Sequence, residues 1–304
     1  IRYLEDKGIP NNKHEDYKYY NIEAILRKEF KAVEQSFNEL TNADIAPLKI
    51  DEAINLVVVN GVYNEELSEK MIVKGLTVNS LNELSSSEKT LLCSQAKSDT
   101  DALIALNTAF SANGLFLQID RNNIIPMPLH VIYVNSGNAN IVTNTRSFIN
   151  VQANAQATLI ESFYNIGSAK VFSNFVSEKF VGENAKLTCH TFQNEGALSY
   201  SVNTNQVKIN KYSNYSNTTM TLSGELVRNN HNVVLTDSNC EAHLNGLFIS
   251  SGTQQIDNHT LIDHQMPHCE SNELYKGIAK DKSIGTFNGK IFVRKDAQKT
   301  NAYQ

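Results

Sequence analysis

The chain has 304 residues with 32 acidic and 27 basic side chains, a formal net charge of −5, and 41% hydrophobic residues. This length suffices for one large core or two ordinary ones, and the mild acidic balance argues against a nucleic-acid partner, because phosphate binding needs clustered cations. The sequence contains no run of about 18 apolar residues, which argues against a membrane span, and its start lacks the basic and apolar regions of a signal peptide.

The first forty residues predict helix. The stretch "YNIEAILRKEFKAVEQSF" carries an apolar stripe at spacings of three and four, formed by Ile22, Ile25, Leu26, Phe30, Val33 and Phe37. "INLVVVNG", residues 54–61, predicts a buried strand that ends in a turn. Helical periodicity returns over residues 87–114, with Asp99 or Thr100 as the expected N-cap and Asn113-Gly114 as the stop.

After Gly114, short alternating strand signals follow one another with no convincing helix. They predict an all-β body of roughly 190 residues. We therefore expect an N-terminal helical or mixed region over residues 1–110 and a β core over residues 111–304. The chain has 38 asparagines against 14 glycines. Asparagine tolerates the left-handed conformation and favours tight turns, although a low-GC genome would also enrich it.

Three segments repeat one pattern: "NAQATLIE" from Asn154, "NAKLTCHT" from Asn184 and "NCEAHLNG" from Asn239. The residues one, three and five places after each asparagine are small or apolar, and those between are mostly polar. Such segments suit a solenoid, since each rung (one turn of the solenoid) buries a narrow inner face against its neighbours. The intervals are irregular, 30 and then 55 residues, so a β-sandwich remains the alternative.

The four cysteines are far apart and form no CxxC pair. This pattern is typical of reduced, buried thiols in a cytosolic protein rather than of a disulfide framework. Cys189 and Cys240 fall on the inner face of the rung pattern, so we expect them to be inert core residues. Cys269 follows His268 in a polar turn, and we expect it to be the most exposed thiol.

The segment "DNHTLIDHQMPHCESNELYKG", residues 257–277, holds candidate metal ligands in His259, His264, His268 and Cys269. Strand geometry argues against one site, because residues five apart on a strand, such as His259 and His264, face opposite sides. Pro267 then separates His264 from the last two candidates. An ordinary structural role at the rim of a rung is the simplest interpretation.

An acid–base role for the same segment would use Asp257 with His259, which share a face, or Asp263 with His264. No arginine is near in sequence, since Arg228 and Arg294 are tens of residues away. This argues against a catalytic constellation. We predict no catalytic and no cofactor-binding residue in the chain.

Several long motifs resemble one known family. Residues 239–304, including "DNHTLIDHQMPHCESNELYKG", "GTFNGKIFV" and "AQKTNAYQ", together with "GIPNNKHEDYKY" near the start, are similar to the SufB/SufD family of iron–sulfur cluster assembly proteins and look closer to its SufD branch. The resemblance implies a right-handed parallel β-helix flanked by helical segments. It also implies a cytoplasmic, non-catalytic scaffold subunit that pairs with a SufB-like subunit and docks a SufC-like ABC ATPase.

The family continues beyond "AQKTNAYQ" into further rungs and a C-terminal helical region, which is expected to be missing here. The Cys/His segment of that region is a candidate for cluster contact, so no family ligand is carried onto this chain. We expect no cofactor bound by this chain alone, with an iron–sulfur cluster contacted transiently in the complex, and a homodimer through the β-helix as a further expectation. The alternatives are a β-helix carbohydrate-active enzyme (lyase or hydrolase) and a stand-alone metal-binding protein.

Overall fold

A computed structural model describes residues 2–18, 20–30, 39–111 and 113–304. Its helices are α1 Arg2–Lys7, α2 Ile22–Glu29, α3 Asn42–Ile45, α4 Ser86–Leu91 and α5 Ala102–Phe110, with 3₁₀ turns at Glu15–Tyr17, Ala46–Leu48 and Leu81–Glu83. The first strands are β1 Ile54–Val59, β2 Val62–Asn64, β3 Leu76–Ser80, β4 Leu115–Ile119, β5 Leu129–Ser136, β6 Ile141–Val151, β7 Gln156–Ile166, β8 Val171–Val181 and β9 Lys186–Asn194. The remaining strands are β10 Ser199–Ile209, β11 Asn214–Ser223, β12 Leu226–Leu235, β13 Glu241–Ser250, β14 Gln255–His264, β15 Glu270–Ala279, β16 Ile284–Val293 and β17 Asn301–Tyr303.

The strands form a parallel β-solenoid of about seven turns, which confirms the predicted fold class. Sheet 1 has the order β17-β15-β13-β11-β9-β7-β5-β1-β2, and sheet 2 has the order β16-β14-β12-β10-β8-β6-β4-β3. From β4 onward, successive strands therefore alternate between the two sheets, and each rung adds one strand to each. Apart from the antiparallel pairs β1–β2 and β3–β4, the ladders are parallel.

The predicted rung pattern is confirmed at one corner of the solenoid. Asn154, Asn184 and Asn239 all have positive φ, between 54° and 61°. The residues one, three and five places later are buried inside: Ala155, Ala157, Leu159, Ala185, Leu187, Cys189, Cys240, Ala242 and Leu244. The 55-residue interval contains one further rung, because Tyr212 takes the same left-handed conformation (φ 56°) at that corner. This rung does not follow the asparagine pattern, since its corner residue is a tyrosine.

The N-terminal region both starts the solenoid and covers part of it. β1 pairs in parallel with β5, and β3 extends sheet 2 through β4, so strands from residues 54–80 complete the first rungs. Tyr20, Ile22 and Phe30 pack with Leu103 of α5 against the outer face of sheet 2 at Phe172, Val202 and Leu226. The predicted boundary near residue 111 falls between α5 and β4.

The helical predictions need three corrections. Among the described residues of the first forty, the structure has two short α-helices, and α2 ends at Glu29; Val33 and Phe37 lie outside the described residues. The second helical stretch is interrupted between α4 and α5. The N-cap of α5 is Asp101 instead of Asp99 or Thr100, because its carboxylate accepts the backbone N–H groups of Leu103 and Ile104 at 2.7 and 3.0 Å.

One buried carboxyl makes the stability of this fold depend on pH. Glu195 follows β9, is almost fully buried, and accepts hydrogen bonds from Ser199 Oγ at 3.1 Å and Ser201 Oγ at 2.9 Å. Burial raises its pKa from 4.5 to about 7, against the smaller opposing effect of the two hydroxyls. The unfolded chain therefore loses this proton at lower pH than the folded chain does.

We expect Glu195→Gln to stabilise the protein at pH 8 and to change little at pH 4. A raised carboxyl pKa leaves stability intact below pH 4.5, lowers it between pH 4.5 and about 7, and leaves a constant deficit above. That deficit corresponds to about 3 kcal/mol at 1.4 kcal/mol per pKa unit. Urea unfolding of both proteins from pH 4 to 8 measures it, and a difference that does not grow with pH would contradict the assignment.

Candidate functional site

A polar cleft of about 340 Å³ lies between the N-terminal layer and the outer face of sheet 2. Tyr17 and the start of α5, at Thr100, Asp101 and Ile104, line one wall. The floor consists of outward side chains from four consecutive strands of sheet 2: Thr204, Gln206, Arg228, Asn230, Asn232, His259, Leu261, Asn288 and Lys290. These residues lie together because parallel stacking aligns outward positions in columns, for example Thr204, Asn230, His259 and Asn288.

A charged cluster forms one side of this cleft. Arg228 on β12 is in register with Asp257 on β14, and its Nη1 donates a hydrogen bond to Asp257 Oδ2 at 2.9 Å. His259 Nε2 lies 3.0 Å from Asp257 Oδ1. The Arg228 guanidinium also stacks 4.3 Å above the Tyr17 ring. Arg228 and Asp257 are only 3% and 1% exposed, whereas His259 is 18% exposed at the cleft surface.

Tyr17 and Asp101 join the two walls. The Tyr17 hydroxyl donates to Asp101 Oδ2 at 3.4 Å, while Asp101 Oδ1 is occupied as the N-cap of α5. A single ring therefore contacts the N-cap of one wall and the buried arginine of the other. The arrangement holds the N-terminal layer against the rungs and positions the His259 imidazole at the cleft. Neither Tyr17 nor Arg228 was predicted from the sequence to be part of a site.

Asp257 and His259 lie on one face, as their spacing of two predicts, and their side chains are in contact. The expectation that no arginine is near this segment is wrong. Arg228 contacts Asp257 across 29 residues, and Arg294 Nε donates to Asp263 Oδ1 at 2.7 Å across 31 residues. Arg228 is directly in register with Asp257, whereas Arg294 lies two positions beyond Phe292, the residue paired with Asp263. Both pairs therefore link neighbouring rungs, at separations that the sequence alone does not specify.

The four candidate metal ligands lie in three different places. His259 is on the outer face at the cleft, and His264 is fully buried inside, where its Nε2 pairs with Ser271 Oγ at 2.9 Å. His268 is exposed at the corner with φ 61°. Cys269 is buried beside Cys240. Among the described residues no group of three or more His, Cys, Asp or Glu side chains is arranged to hold a metal ion.

The prediction that Cys269 is the most exposed thiol is wrong. Because His268 adopts the left-handed corner conformation, the next side chain turns inward, and Cys269 is 1% exposed. Cys93 is instead the partly exposed cysteine. The Cys240 thiol donates toward Cys269 and thereby lowers the pKa of Cys269, with further help from His264, while the same contact and burial raise the pKa of Cys240.

An apolar strip on the outer face of sheet 1 is a second surface feature. It was not predicted from the sequence. It is formed by Leu222, Leu247, Ile249, Leu274 and Ile278 on β11, β13 and β15, which are 37% to 60% exposed. Ile249 and Ile278 are directly in register, so the strip crosses neighbouring rungs. Adjacent exposed apolar residues of this kind are typical of surfaces that bind other proteins.

No helix in the described parts of the chain has both the length and the hydropathy needed to cross a bilayer.

Both halves of the chain are similar in sequence to a known protein family. Residues 133–304 match the family model of the SUF system FeS cluster assembly SufBD core domain, and residues 1–131 match that of the SufBD protein N-terminal region. An iron–sulfur cluster assembly SufBD family protein of Synechocystis is 26% identical over 309 residues, covering 97% of this chain and 68% of the relative. The iron–sulfur cluster assembly protein SufD of Escherichia coli is 25% identical over 304 residues, covering 99% and 70%. SufD of Bacillus subtilis is 25% identical over 226 residues, covering 71% and 50%.

Proposed function

This chain belongs to the SufBD family of SUF-system iron–sulfur cluster assembly proteins, and we propose that it is a SufD-like, non-catalytic scaffold subunit of that machinery. It pairs with a SufB-like subunit and docks a SufC-like ATPase in the cytoplasm. One observation carries the proposal: the core and N-terminal family regions together span nearly the whole chain, and the similarity to a protein named SufD extends over 99% of it.

The apolar strip supports a role in assembly. Residues such as Leu247 and Ile249 expose apolar surface on strands whose inner faces are tightly packed, so the strip is presented by a rigid scaffold. Burying exposed apolar side chains on a rigid surface gives association energy without the entropic cost of ordering a loop. We assign the strip to contact with a SUF partner.

An iron–sulfur cluster is the cargo of such a machinery rather than a resident cofactor in this proposal. Clusters are usually held by four thiolates. Within the described part of the chain, the cysteines that come together are only Cys240 and Cys269. Further ligands would have to come from a partner subunit, so contact with a cluster is transient and occurs in the complex.

A carbohydrate-active β-helix enzyme is the alternative, and the contact between Asp257 and His259 in the cleft is the feature that favours it. Asp257 is committed to a buried ion pair with Arg228. The other carboxyl group of the cleft, Asp101, caps α5 through Oδ1 and accepts the Tyr17 hydroxyl at Oδ2, so neither carboxyl is free to act in the way that glycoside hydrolysis requires. The contacts of Tyr17 with Asp101 and Arg228 instead indicate that the cleft residues hold the N-terminal layer against the rungs.

Co-expression of the full gene product with the SufB-like and SufC-like proteins of the same organism tests the proposal. We expect a stable complex with the wild-type protein and roughly 30-fold weaker association after the double change Leu247→Asp/Ile249→Asp, because charged residues at the centre of an apolar contact cost about 2 kcal/mol or more. Ile72→Asp is the matched control, since Ile72 is fully exposed away from the strip. Pull-down and analytical ultracentrifugation measure both.

The two parts of this proposal fail separately. Absence of any complex with the wild-type protein would overturn the assignment as a SUF scaffold subunit. A normal complex with the Leu247/Ile249 double variant would leave the scaffold role standing and remove the apolar strip as its contact surface. Cleavage of polysaccharides by the purified chain would favour the carbohydrate-active alternative.

A further inference from the structure

Two cysteines occupy equivalent positions in consecutive rungs. Each directly follows a left-handed corner residue: Cys240 follows Asn239 (φ 59°) and Cys269 follows His268 (φ 61°). The backbone N–H of Glu270 donates to the Cys240 carbonyl at 2.9 Å, which places the two positions side by side. Both thiols therefore point inward at the same corner, one rung apart.

The thiols share one backbone acceptor. Cys240 Sγ lies 3.1 Å and Cys269 Sγ 3.2 Å from the carbonyl oxygen of Asp237. Cys240 Sγ is also 3.0 Å from the carbonyl oxygen of Asn210. The fully buried His264 lies beside this pair, and its Nδ1 has no hydrogen-bond partner among the described residues. Two soft donor atoms and one unused imidazole nitrogen thus lie in a compact buried corner.

The rung spacing suits an ion between the sulfurs better than a disulfide. Neighbouring in-register strands lie about 4.8 Å apart, and side chains at equivalent positions point in the same direction. A disulfide needs Cβ atoms roughly 3.8 Å apart, so direct bonding would require the two rungs to move together. An ion held between two thiolates in a nearly linear arrangement tolerates the wider spacing.

We propose that Cys240 and Cys269 form a two-thiolate site for a soft monovalent d¹⁰ cation, Cu(I) in a cell. Binding releases the two thiol protons and forms two metal–sulfur bonds, with no change of oxidation state. The proposal does not depend on the function assigned above.

The donor set selects this class of ion. Thiolates favour Cu(I) among the first-row metals, and zinc sites normally have four ligands or three plus water. Although His264 lies beside the pair, no group of three or more His, Cys, Asp or Glu side chains among the described residues is arranged to hold a metal ion, so the imidazole is not assigned as a third ligand. The surrounding backbone carbonyls of Asn210 and Asp237 are hard donors, which attract Cu(I) weakly.

The site lies directly under a surface turn. Cys269 Sγ is 3.7 Å from the carbonyl oxygen of Pro267, and both Met266 and His268 in this turn are exposed. The exposed residues of this turn directly precede Cys269 in the chain. A thioether and an imidazole at the surface are also donors through which a soft ion can be transferred inward.

Anaerobic titration of the reduced full chain with Cu(I) in competition with bicinchoninate tests the site. Cys93→Ala/Cys189→Ala provides the background, since it retains the pair and removes the other two cysteines of the sequence. We expect this variant to take one equivalent of Cu(I) from the competitor. Adding either Cys240→Ala or Cys269→Ala should weaken binding roughly 100-fold or more, because a thiolate ligand is lost.

Ag(I) is a redox-inert probe that should show the same stoichiometry, and copper X-ray absorption of the background variant should show two sulfur ligands. The X-ray absorption measurement uses only the background variant, so it tests the site even if a variant lacking one of the paired thiols does not fold. The proposal is overturned if the background variant leaves Cu(I) with the competitor. It is also overturned if either single removal binds Cu(I) as before, or if copper X-ray absorption of the background variant shows fewer than two sulfur ligands.

Discussion

Arg146→Met is expected to destabilise the protein by about 3–5 kcal/mol, the usual cost of removing one partner of a buried ion pair. Arg146 on β6 and Glu178 on β8 form such a pair on the outer face of sheet 2, and both side chains are almost inaccessible to water. Without the guanidinium, Glu178 loses its cationic partner in a site that water does not reach. Urea unfolding at pH 7 measures the loss.

The same carboxylate holds the N-terminal layer in place. Glu178 accepts the backbone N–H groups of Cys93, Gln95 and Ala96 at 2.7, 2.9 and 3.1 Å. Arg146 also donates to the side chain of Thr108 on α5 at 3.1 Å. We therefore expect Arg146→Met to raise amide hydrogen exchange over residues 93–108 before the inner strands are affected.

Arg27→Met is the matched control. Arg27 forms an ion pair with Glu23 on α2, but its side chain is 79% exposed. Exposed pairs contribute about 0–1 kcal/mol, so the control should unfold almost as the wild type does. The double variant Arg146→Met/Glu178→Gln should lose less than the sum of its single changes, because the unpaired charge is gone. Equal, small losses in Arg146→Met and Arg27→Met would contradict the role of the pair.

Many inner residues of the solenoid could be predicted from the sequence, because the alternation of apolar and polar residues along each strand shows which side chains face inward. Ala155, Leu187 and Ala242 are recognisable as inner residues from their own strands, and all three are buried. The turn asparagines are equally local, since the left-handed conformation depends on the residue itself. Where another residue occupies the corner, as Tyr212 and His268 do, the local signal disappears although the geometry is retained.

The ion pairs on the outer face of sheet 2 could not be predicted because they depend on register between rungs. Partners are 32 residues apart for Arg146 and Glu178, 29 for Arg228 and Asp257, and 31 for Asp263 and Arg294. Arg228 and Asp257 are directly in register, whereas the other two pairs are offset by two residues from the register partner. A slip of one residue would move a side chain to the opposite face. The three-dimensional stacking of the rungs therefore determines which charged side chains contact each other.

Lys179→Met is expected to lower the free energy of unfolding by about 3–5 kcal/mol at pH 7, because it removes one partner of an ion pair that lies inside the solenoid. Lys179 on β8 donates to Glu161 Oε2 at 2.9 Å and to Asn205 Oδ1 at 2.6 Å, and both charged side chains are 1% exposed. Glu161 Oε1 has no hydrogen-bond partner among the described residues. Loss of the ammonium group leaves this carboxylate uncompensated in the interior.

A double variant distinguishes lost charge compensation from lost packing. Lys179→Met/Glu161→Gln carries no buried charge at this position, so it should recover most of the loss at pH 7. Equilibrium unfolding in urea at pH 7 compares the wild type, Lys179→Met and the double variant. If the double variant is as unstable as Lys179→Met at pH 7, the lysine acts by filling space, and the ion pair is not what the interior of this solenoid requires.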